Sequence, residues 1–303
     1  MTQKKKIIII ASVVVVALFV AAVLPFILPW SYRDADPRKG AETSDFTLSS
    51  FSLIYGIADG YMSVENSTFL TGSNVKVADL YFGLPVTSIV DEAFKDNTKL
   101  QEIILPGGLM TIGSDAFSGC TSITDIIIPT GVRSIERNAF KGCTGITNIV
   151  LPGDVEIGSN AFNGCTSLTS LTILDGKTAI SSNAFKGCTS LTEVSVPNDI
   201  KSIDANAFSG CDNIVFSKYD NALYLGNAEN PYVALITTVD KDITSCDIHP
   251  DTKIIADEAF ADCFLLESIY YGDTVENWNK ISFPFSWDLN TGDYTVYCTD
   301  GEI

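Results

Sequence analysis

Basic residues and histidine are scarce in this sequence. Its 303 residues include 19 Lys and Arg against 37 Asp and Glu, a formal net charge of −18, and one histidine, His249. A strongly acidic surface repels phosphate backbones, which argues against nucleic-acid binding. The usual serine and cysteine hydrolases need a histidine base, and only His249 is available, with no nucleophile-elbow motif to accompany it. The composition therefore points away from both functions.

Motifs for cofactors and metals are also missing. No glycine-rich phosphate loop follows a predicted strand, and the eight cysteines are not grouped as the four close ligands of structural zinc. Acidic residues are plentiful but stand mostly at turn positions, where solvated charge is the ordinary interpretation. We therefore expect no catalysis, no cofactor and no metal, and a structural role for His249. A secreted carboxylate-dependent hydrolase is the remote alternative.

An apolar run follows a cluster of lysines at the N-terminus. Lys4–Lys6 precede Ile7–Leu28, whose twenty-two residues carry no charge and would span roughly 33 Å as a helix. The lysines favour the cytoplasmic side of a membrane, and Trp30 suits the opposite interface. Residues 1–30 are therefore predicted to be a cytoplasmic lysine cluster and a single transmembrane helix in the cell membrane, with the rest of the chain extracellular. A signal peptide that is cleaved to give a secreted protein is the alternative.

A repeat of about 23 residues dominates the rest of the chain. An isoleucine stands five residues before the phenylalanine of each recurring Ala-Phe pair, and a cysteine stands three residues after it in every copy but the first. The regular step holds from the first pair to the sixth, and only the step to the last pair is longer. The phenylalanines are Phe94, Phe117, Phe140, Phe162, Phe185, Phe208 and Phe260.

Each copy contains a short turning segment and an alternating, β-branched segment such as Leu191–Pro197. Alternation places Leu191 inward. A single copy cannot bury its apolar side, but coils stacked about 4.8 Å apart share a continuous core. We therefore predict a β-rich solenoid with inner ladders of isoleucine, phenylalanine and cysteine. The ladder cysteines then lie side by side as buried thiols, whereas a disulfide between Cys246 and Cys298 stays open.

The unit Ile-x-x-x-Ala-Phe-x-Gly-Cys-x-x-Leu-x-x-Ile-x-Leu-Pro resembles the BspA-like leucine-rich repeats of bacterial surface proteins, which also occur in some protozoa. The resemblance runs from about Val86 to Gly272. It implies a surface-displayed protein, and several members of that family are regarded as adhesins for host extracellular-matrix proteins or other bacteria. The predicted fold is a leucine-rich-repeat-like, right-handed stack of about seven to nine coils with end caps, preceded by one transmembrane helix.

The repeat is interrupted once. The step from Phe208 to Phe260 is more than twice the regular one, and Ala222–Leu225 and Tyr232–Val239 flank a polar turn typical of a hairpin. The predicted organisation is an anchor at 1–30, a flexible stalk at 31–46, an N-terminal cap at 47–85, leucine-rich repeats at 86–215, a hairpin insertion and degenerate repeat at 216–254, and a last repeat with C-terminal cap at 255–303.

The outward strand positions are the candidate binding site. Counting from the cysteine position places Ile104, Ile127 and Val150 in an apolar strip beside acidic and polar residues. The strip reflects either β-propensity on an exposed sheet or a binding face. The partner-binding candidates are Glu102, Ile104, Asp125, Ile127, Asn148, Val150, Thr172, Glu193, Ser195, Lys218 and Tyr270.

We expect these residues to contact an extracellular protein or a cell-surface ligand, so that the chain acts as an adhesion or protein-binding module. A structural spacer or cell-envelope component without a dedicated ligand is the alternative.

Overall fold

The structure is a computed structural model, and the repeats in it form a β-solenoid of about nine turns. The predicted transmembrane segment lies outside the described residues, and none of the helices within them is long and apolar enough to cross a bilayer. The described residues are 41–43, 54–58, 61–66, 73–77, 79–81 and 84–303.

Within the described residues, six strands lie at the N-terminal end of the solenoid. β1 pairs antiparallel with β4, so its residues, which the sequence assigns to the flexible stalk, belong to the edge of a sheet. The strands are β1 (Ala41–Thr43), β2 (Ile54–Ala58), β3 (Tyr61–Asn66), β4 (Asn74–Val77), β5 (Leu80–Tyr81) and β6 (Leu84–Ile89).

The repeats supply ten short strands, two from each coil. Even-numbered strands form one parallel ladder, and odd-numbered strands form two, β7 with β9 and β11 with β13 and β15. Partners are one repeat apart, as in Glu102↔Asp125 and Ile135↔Ile157. The strands are β7 (Glu102–Ile104), β8 (Thr111–Ile112), β9 (Asp125–Ile126), β10 (Ser134–Ile135), β11 (Asn148–Leu151), β12 (Glu156–Ile157), β13 (Ser170–Ile173), β14 (Ala179–Ile180), β15 (Glu193–Ser195) and β16 (Ser202–Ile203).

Left-handed residues on both sides of the Ala-Phe pair allow each coil to turn tightly. In one coil Asn138 has φ 58° and Gly142 has φ 70°. Asparagine and glycine are the residues that adopt this region most readily, and Asn160, Asn183 and Asn206 repeat the first position. The turn closes with a hydrogen bond to the next coil, from the Phe140 N–H to the Ala161 carbonyl at 2.7 Å.

The inner ladders are present as predicted. Six phenylalanine rings, Phe94 to Phe208, stack with centroid spacings of 5.0 to 5.5 Å. The cysteine ladder is made of free, buried thiols. The Cys143 thiol donates to the Phe117 carbonyl oxygen of the preceding coil at 3.0 Å. Cysteine therefore supplies a small apolar side chain that also satisfies a buried carbonyl.

Eight strands and one short helix complete the chain. β18 and β19 pair antiparallel as the predicted hairpin, and β17 adds a further antiparallel strand. The elements are β17 (Ser217–Tyr219), β18 (Ala222–Leu225), β19 (Ala234–Thr238), β20 (Ser245–Ile248), β21 (Ile254–Ile255), β22 (Ser268–Tyr271), α1 (Val275–Trp278), β23 (Thr295–Cys298) and β24 (Gly301–Glu302).

The hairpin divides the core. One cluster of buried residues contains the coils up to Ile214, and a second contains Tyr224, Phe260 and the tryptophans of the C-terminal end. The alternative disulfide is not formed, because both cysteines are free and β22 separates the strands that carry them.

Candidate binding face

The outward side of β4, β7, β9, β11, β13 and β15, which we call the strand face, contains most of the predicted partner-binding residues. Parallel pairing in equal register places Glu102 beside Asp125, and Asn148 beside Ser170. Between β9 and β11 the stack continues through a hydrogen bond from the Thr147 N–H to the Thr124 carbonyl at 3.4 Å. Outward side chains therefore form rows across successive coils.

One row of the strand face is apolar and open to solvent. Ile104 is 50% exposed, Ile127 is 84% exposed and Val150 is 52% exposed. The residues that precede them in the strands, such as Ile103 and Ile149, are buried. Side chains therefore alternate between the core and the solvent along each strand. Three branched aliphatic side chains at neighbouring coils give a contiguous apolar strip.

The neighbouring row is polar and acidic. Glu102 accepts a hydrogen bond from the Asn74 amide at 3.1 Å, and Asp125 accepts one from the Thr124 hydroxyl at 3.1 Å. Both carboxylates are exposed, and neither forms an ion pair within the described part of the chain. The row therefore presents negative charge along the border of the apolar strip.

The strand face ends at the hairpin. Thr172 and Ser195 are adjacent in register and half-buried, and Glu193 is exposed. The Val196 N–H then donates to the Gly226 carbonyl of the hairpin turn at 3.0 Å, where the next coil would otherwise pair. The turn thus covers the edge of β15.

Two predicted site residues lie elsewhere. Lys218 is in β17, which pairs antiparallel with β18 and does not continue the parallel ladder. Tyr270 is in β22, in a separate sheet of β20, β22, β23 and β24. The predicted stripe therefore runs from Glu102 to Ser195 over two parallel sheets, which adjoin between β9 and β11, and does not extend to these two residues.

Two depressions lie along the described part of the strand face. One, of about 540 Å³, is lined by Asn74, Glu102, Ile104, Asp125 and Ile127. The other, of about 440 Å³, lies between the ends of β13 and β15 and the hairpin turn, with Glu193 and Pro231 among its lining residues. The first depression brings two residues of the apolar strip, Ile104 and Ile127, and the two carboxylates into one concave surface.

Sequence reasoning missed part of the face at its N-terminal end. Asn74 of β4 pairs in register with Glu102 and extends the polar row by one strand, whereas Lys76 pairs with Ile104 and places an exposed charged side chain at the end of the apolar strip. The spacing between β4 and β7 is longer than the repeat, so counting by the repeat does not reach these two residues. The alternation in Asn-Val-Lys-Val is the signal that indicates this strand.

The buried cysteine thiols and the histidine ring are packed against neighbouring residues. Burial raises the pKa of Cys120 to about 12 and that of Cys246 to about 12, which keeps these thiols protonated and poorly nucleophilic. His249 lies against Tyr232, its ring stacked at 4.0 Å, and Nδ1 accepts from the Asp251 N–H at 3.1 Å. Within the described residues there is no group of three side chains able to hold a metal.

The fold and the face define a leucine-rich-repeat solenoid, and the comparisons with known proteins specify the family. Six copies of the BspA type leucine-rich repeat region match residues 87–215 and 239–296. Since these matches cover more than half of the sequence, the chain belongs to the BspA-type leucine-rich repeat family. Proteins of this kind are generally non-catalytic.

Solved structures of bacterial leucine-rich repeat proteins are similar to this chain. One from T. pallidum is 25% identical, with a TM-score of 0.52 over 71% of this chain and 88% of its own. One from Bacteroides ovatus is 23% identical, with a TM-score of 0.48 over 82% of this chain and 71% of its own. No curated protein matches the sequence significantly.

Proposed function

We propose that this protein is a membrane-anchored, surface-displayed binding module that attaches to an extracellular protein partner through its strand face and catalyses no reaction. The observation that carries the proposal is the apolar strip of Ile104, Ile127 and Val150, exposed on neighbouring coils of a rigid scaffold. Membership of a leucine-rich repeat family supports it, because stacked repeats provide extended surfaces for binding.

The arrangement of the strip and its border suits a protein ligand. Buried apolar area contributes roughly 25 cal/mol per Å², so covering three exposed aliphatic side chains supplies a favourable centre for an interface. Glu102 and Asp125 would then lie at the rim, where charge guides encounter more than it sets affinity. A partner with an apolar centre and a basic rim fits this face.

The N-terminal segment supports display at the cell surface. Ile7–Leu28 has the length of a bilayer span, and Lys4–Lys6 before it favours an orientation with the repeats outside. The full chain expressed on cells is therefore the material for the binding test. Protease added to intact cells should remove the repeats, and a full-length band that survives would contradict this orientation.

The test of the strand face is binding to a panel of extracellular-matrix proteins. Ile104→Ser, Ile127→Ser and Val150→Ser combined should lower affinity at least about a hundredfold, as expected for loss of an interface centre. A second variant, Glu102→Lys with Asp125→Lys, should slow association and weaken its dependence on salt.

A matched control removes equally exposed apolar groups at the C-terminal end. Phe264, Leu265 and Leu289 are 66%, 53% and 47% exposed, and their combined change to serine should leave binding intact. Equal losses in both triple variants, or no loss in either while circular dichroism shows folded protein, would contradict a role for the strip. The second outcome would favour a spacer without a dedicated ligand.

A further inference from the structure

A row of four side chains crosses the C-terminal sheet, away from the strand face. Asp247 of β20 pairs in register with Tyr270 of β22, Tyr270 with Tyr297 of β23, and Tyr297 with Glu302 of β24. At about 4.8 Å per strand, the row is roughly 14 Å long. The row therefore has two aromatic side chains in the middle and a carboxylate at each end.

The two tyrosine rings are partly exposed to solvent and stack on each other. Tyr270 is 45% exposed and Tyr297 is 37% exposed, and their rings stack with centroids 5.3 Å apart and planes 20° apart. Because the rings stack along the row, each keeps one face that its partner does not cover. That face is directed along the row, toward the strand that carries the flanking carboxylate.

The side chains beside the rings are small. Ser245, Ser268 and Thr295 form the adjacent outward row, and these three residues are also in register. None of them is large enough to cover a tyrosine ring. The aromatic pair is therefore accessible from above as well as along the row.

Negative charge at both ends of the row has no counterion in the described part of the chain. Asp247 and Glu302 are exposed, and neither belongs to an ion pair there. Asp220 is close to Asp247, since its carboxylate accepts the Asp247 N–H at 2.9 Å. Burial and the charge of Asp220 raise the pKa of Asp247, and a bound cation would relieve this repulsion.

We propose that this row binds arginine side chains of a protein partner, as a second contact site that does not depend on the strand face. A guanidinium group stacks on the face of a tyrosine ring. Its planar fork of N–H donors also matches a carboxylate. Each end of the row offers both groups side by side, so two arginines a few residues apart in an extended segment fit one row.

Arginine suits the row better than a saccharide does. An aromatic platform alone would accept the apolar face of a sugar ring, but this one lies between two carboxylates in a chain of net charge −18. A neutral ligand gains nothing from that field, whereas a guanidinium gains from both the rings and the acids.

The test uses the full chain in detergent micelles and two synthetic peptides, Gly-Arg-Gly-Arg-Gly and the same peptide with citrulline in place of arginine. Citrulline has nearly the same shape and no charge. The arginine peptide should bind and the citrulline peptide should not. Tyr270→Leu with Tyr297→Leu, which retains apolar bulk without an aromatic face, should weaken binding roughly tenfold.

Charge-matched variants separate this site from general attraction to an acidic protein. Asp247→Asn with Glu302→Gln should weaken arginine-peptide binding roughly tenfold, while Glu102→Gln with Asp125→Asn removes the same charge from the strand face and should change it less than about twofold. Equal effects of the two pairs, or equal binding of the two peptides, would overturn the proposal.

The proposal would also be overturned if the arginine peptide failed to bind while a saccharide bound to the wild-type protein and not to the tyrosine variant. All variants are first checked for an unchanged melting temperature. A negative result here would not contradict binding by the strand face, because that proposal is tested with substitutions on the strand face and not in the C-terminal sheet.

Discussion

The phenylalanine ladder shows how a single residue type can set the stability of a repeat protein. Phe162 is fully buried, and its ring stacks between those of Phe140 and Phe185 at 5.1 and 5.2 Å. Sequence alone indicated this position, because a phenylalanine at a fixed step in every copy must occupy equivalent places in the stack. Removal of one ring therefore leaves a cavity between two intact coils.

We expect Phe162→Ala to lower the free energy of unfolding by about 3–5 kcal/mol. Ile127→Ala, on the strand face, should change it by less than about 0.5 kcal/mol, as is usual for exposed positions. Urea denaturation followed by circular dichroism measures both. Similar midpoints for the two variants would mean that the inward and outward sides of the coil have been assigned wrongly.

The outward residues could be predicted only as far as the repeat stays regular. Ile104, Ile127 and Val150 are exposed where counting placed them, because residues at equal steps in a parallel stack must share a side. Thr172 and Ser195 are half-buried rather than exposed; Ser195 pairs with Gly226 of the hairpin turn, and Thr172 lines the depression beside that turn. That contact arises from the fold and leaves no sign in the local pattern.

Among the elements, the hairpin was predictable and its effect on the stack was not. A polar turn between two apolar segments indicates antiparallel strands, and β18 and β19 form them. The sequence does not reveal that β17 also turns antiparallel to β18, which removes Lys218 from the parallel ladder. Likewise, the pairing of β1 with β4 joins segments that are distant in the sequence. Local sequence periodicity therefore cannot predict this pairing.

The degenerate coil after the hairpin contains the one histidine, and its packing makes stability depend on pH. The His249 ring contacts Tyr232 and, edge to face at 4.8 Å, Tyr219. Nδ1 accepts the Asp251 N–H, and the Asp251 carboxylate lies 3.8 Å from the same nitrogen. Burial lowers the pKa of His249, and Asp251 only partly opposes this.

Protonation would convert Nδ1 from an acceptor into a donor and break its hydrogen bond from Asp251. Because the folded pKa is below the unfolded value of about 6.5, the unfolded chain binds the proton more readily. Stability from this residue is therefore complete above pH of about 6.5 and falls as the pH drops toward the folded pKa.

Urea midpoints measured from about pH 7.5 to about pH 5 for the wild-type protein and for His249→Gln test this expectation. Glutamine lacks the titrating group, so subtraction of the two profiles cancels the contribution of the carboxylates. The difference should favour the wild-type protein near neutral pH and shrink on acidification. A difference that does not vary with pH would contradict the proposed role of the ring.

At the scale of the whole molecule, the structure is a scaffold that holds short rows of side chains at fixed spacing. The parallel ladders repeat every coil, the hairpin divides the core into two clusters, and the C-terminal sheet presents a second outward surface. The sequence predicted the class of fold and the family from the repeat. It did not predict the second surface, because the spacing between Tyr270 and Tyr297 is longer than the regular step.

The apolar strip of the strand face is the contact surface that we propose for a partner. Site-specific photo-crosslinking tests it most directly, since a photoreactive residue reports contact with a ligand that has not been identified. The residue is placed at Ile127 in one full-length protein and at Leu265, also exposed, in another, and both are displayed on cells and incubated with an extracellular-matrix extract. We expect a discrete adduct from position 127 and none from position 265; adducts of equal yield at both positions, or an adduct at position 265 alone, would contradict the claim.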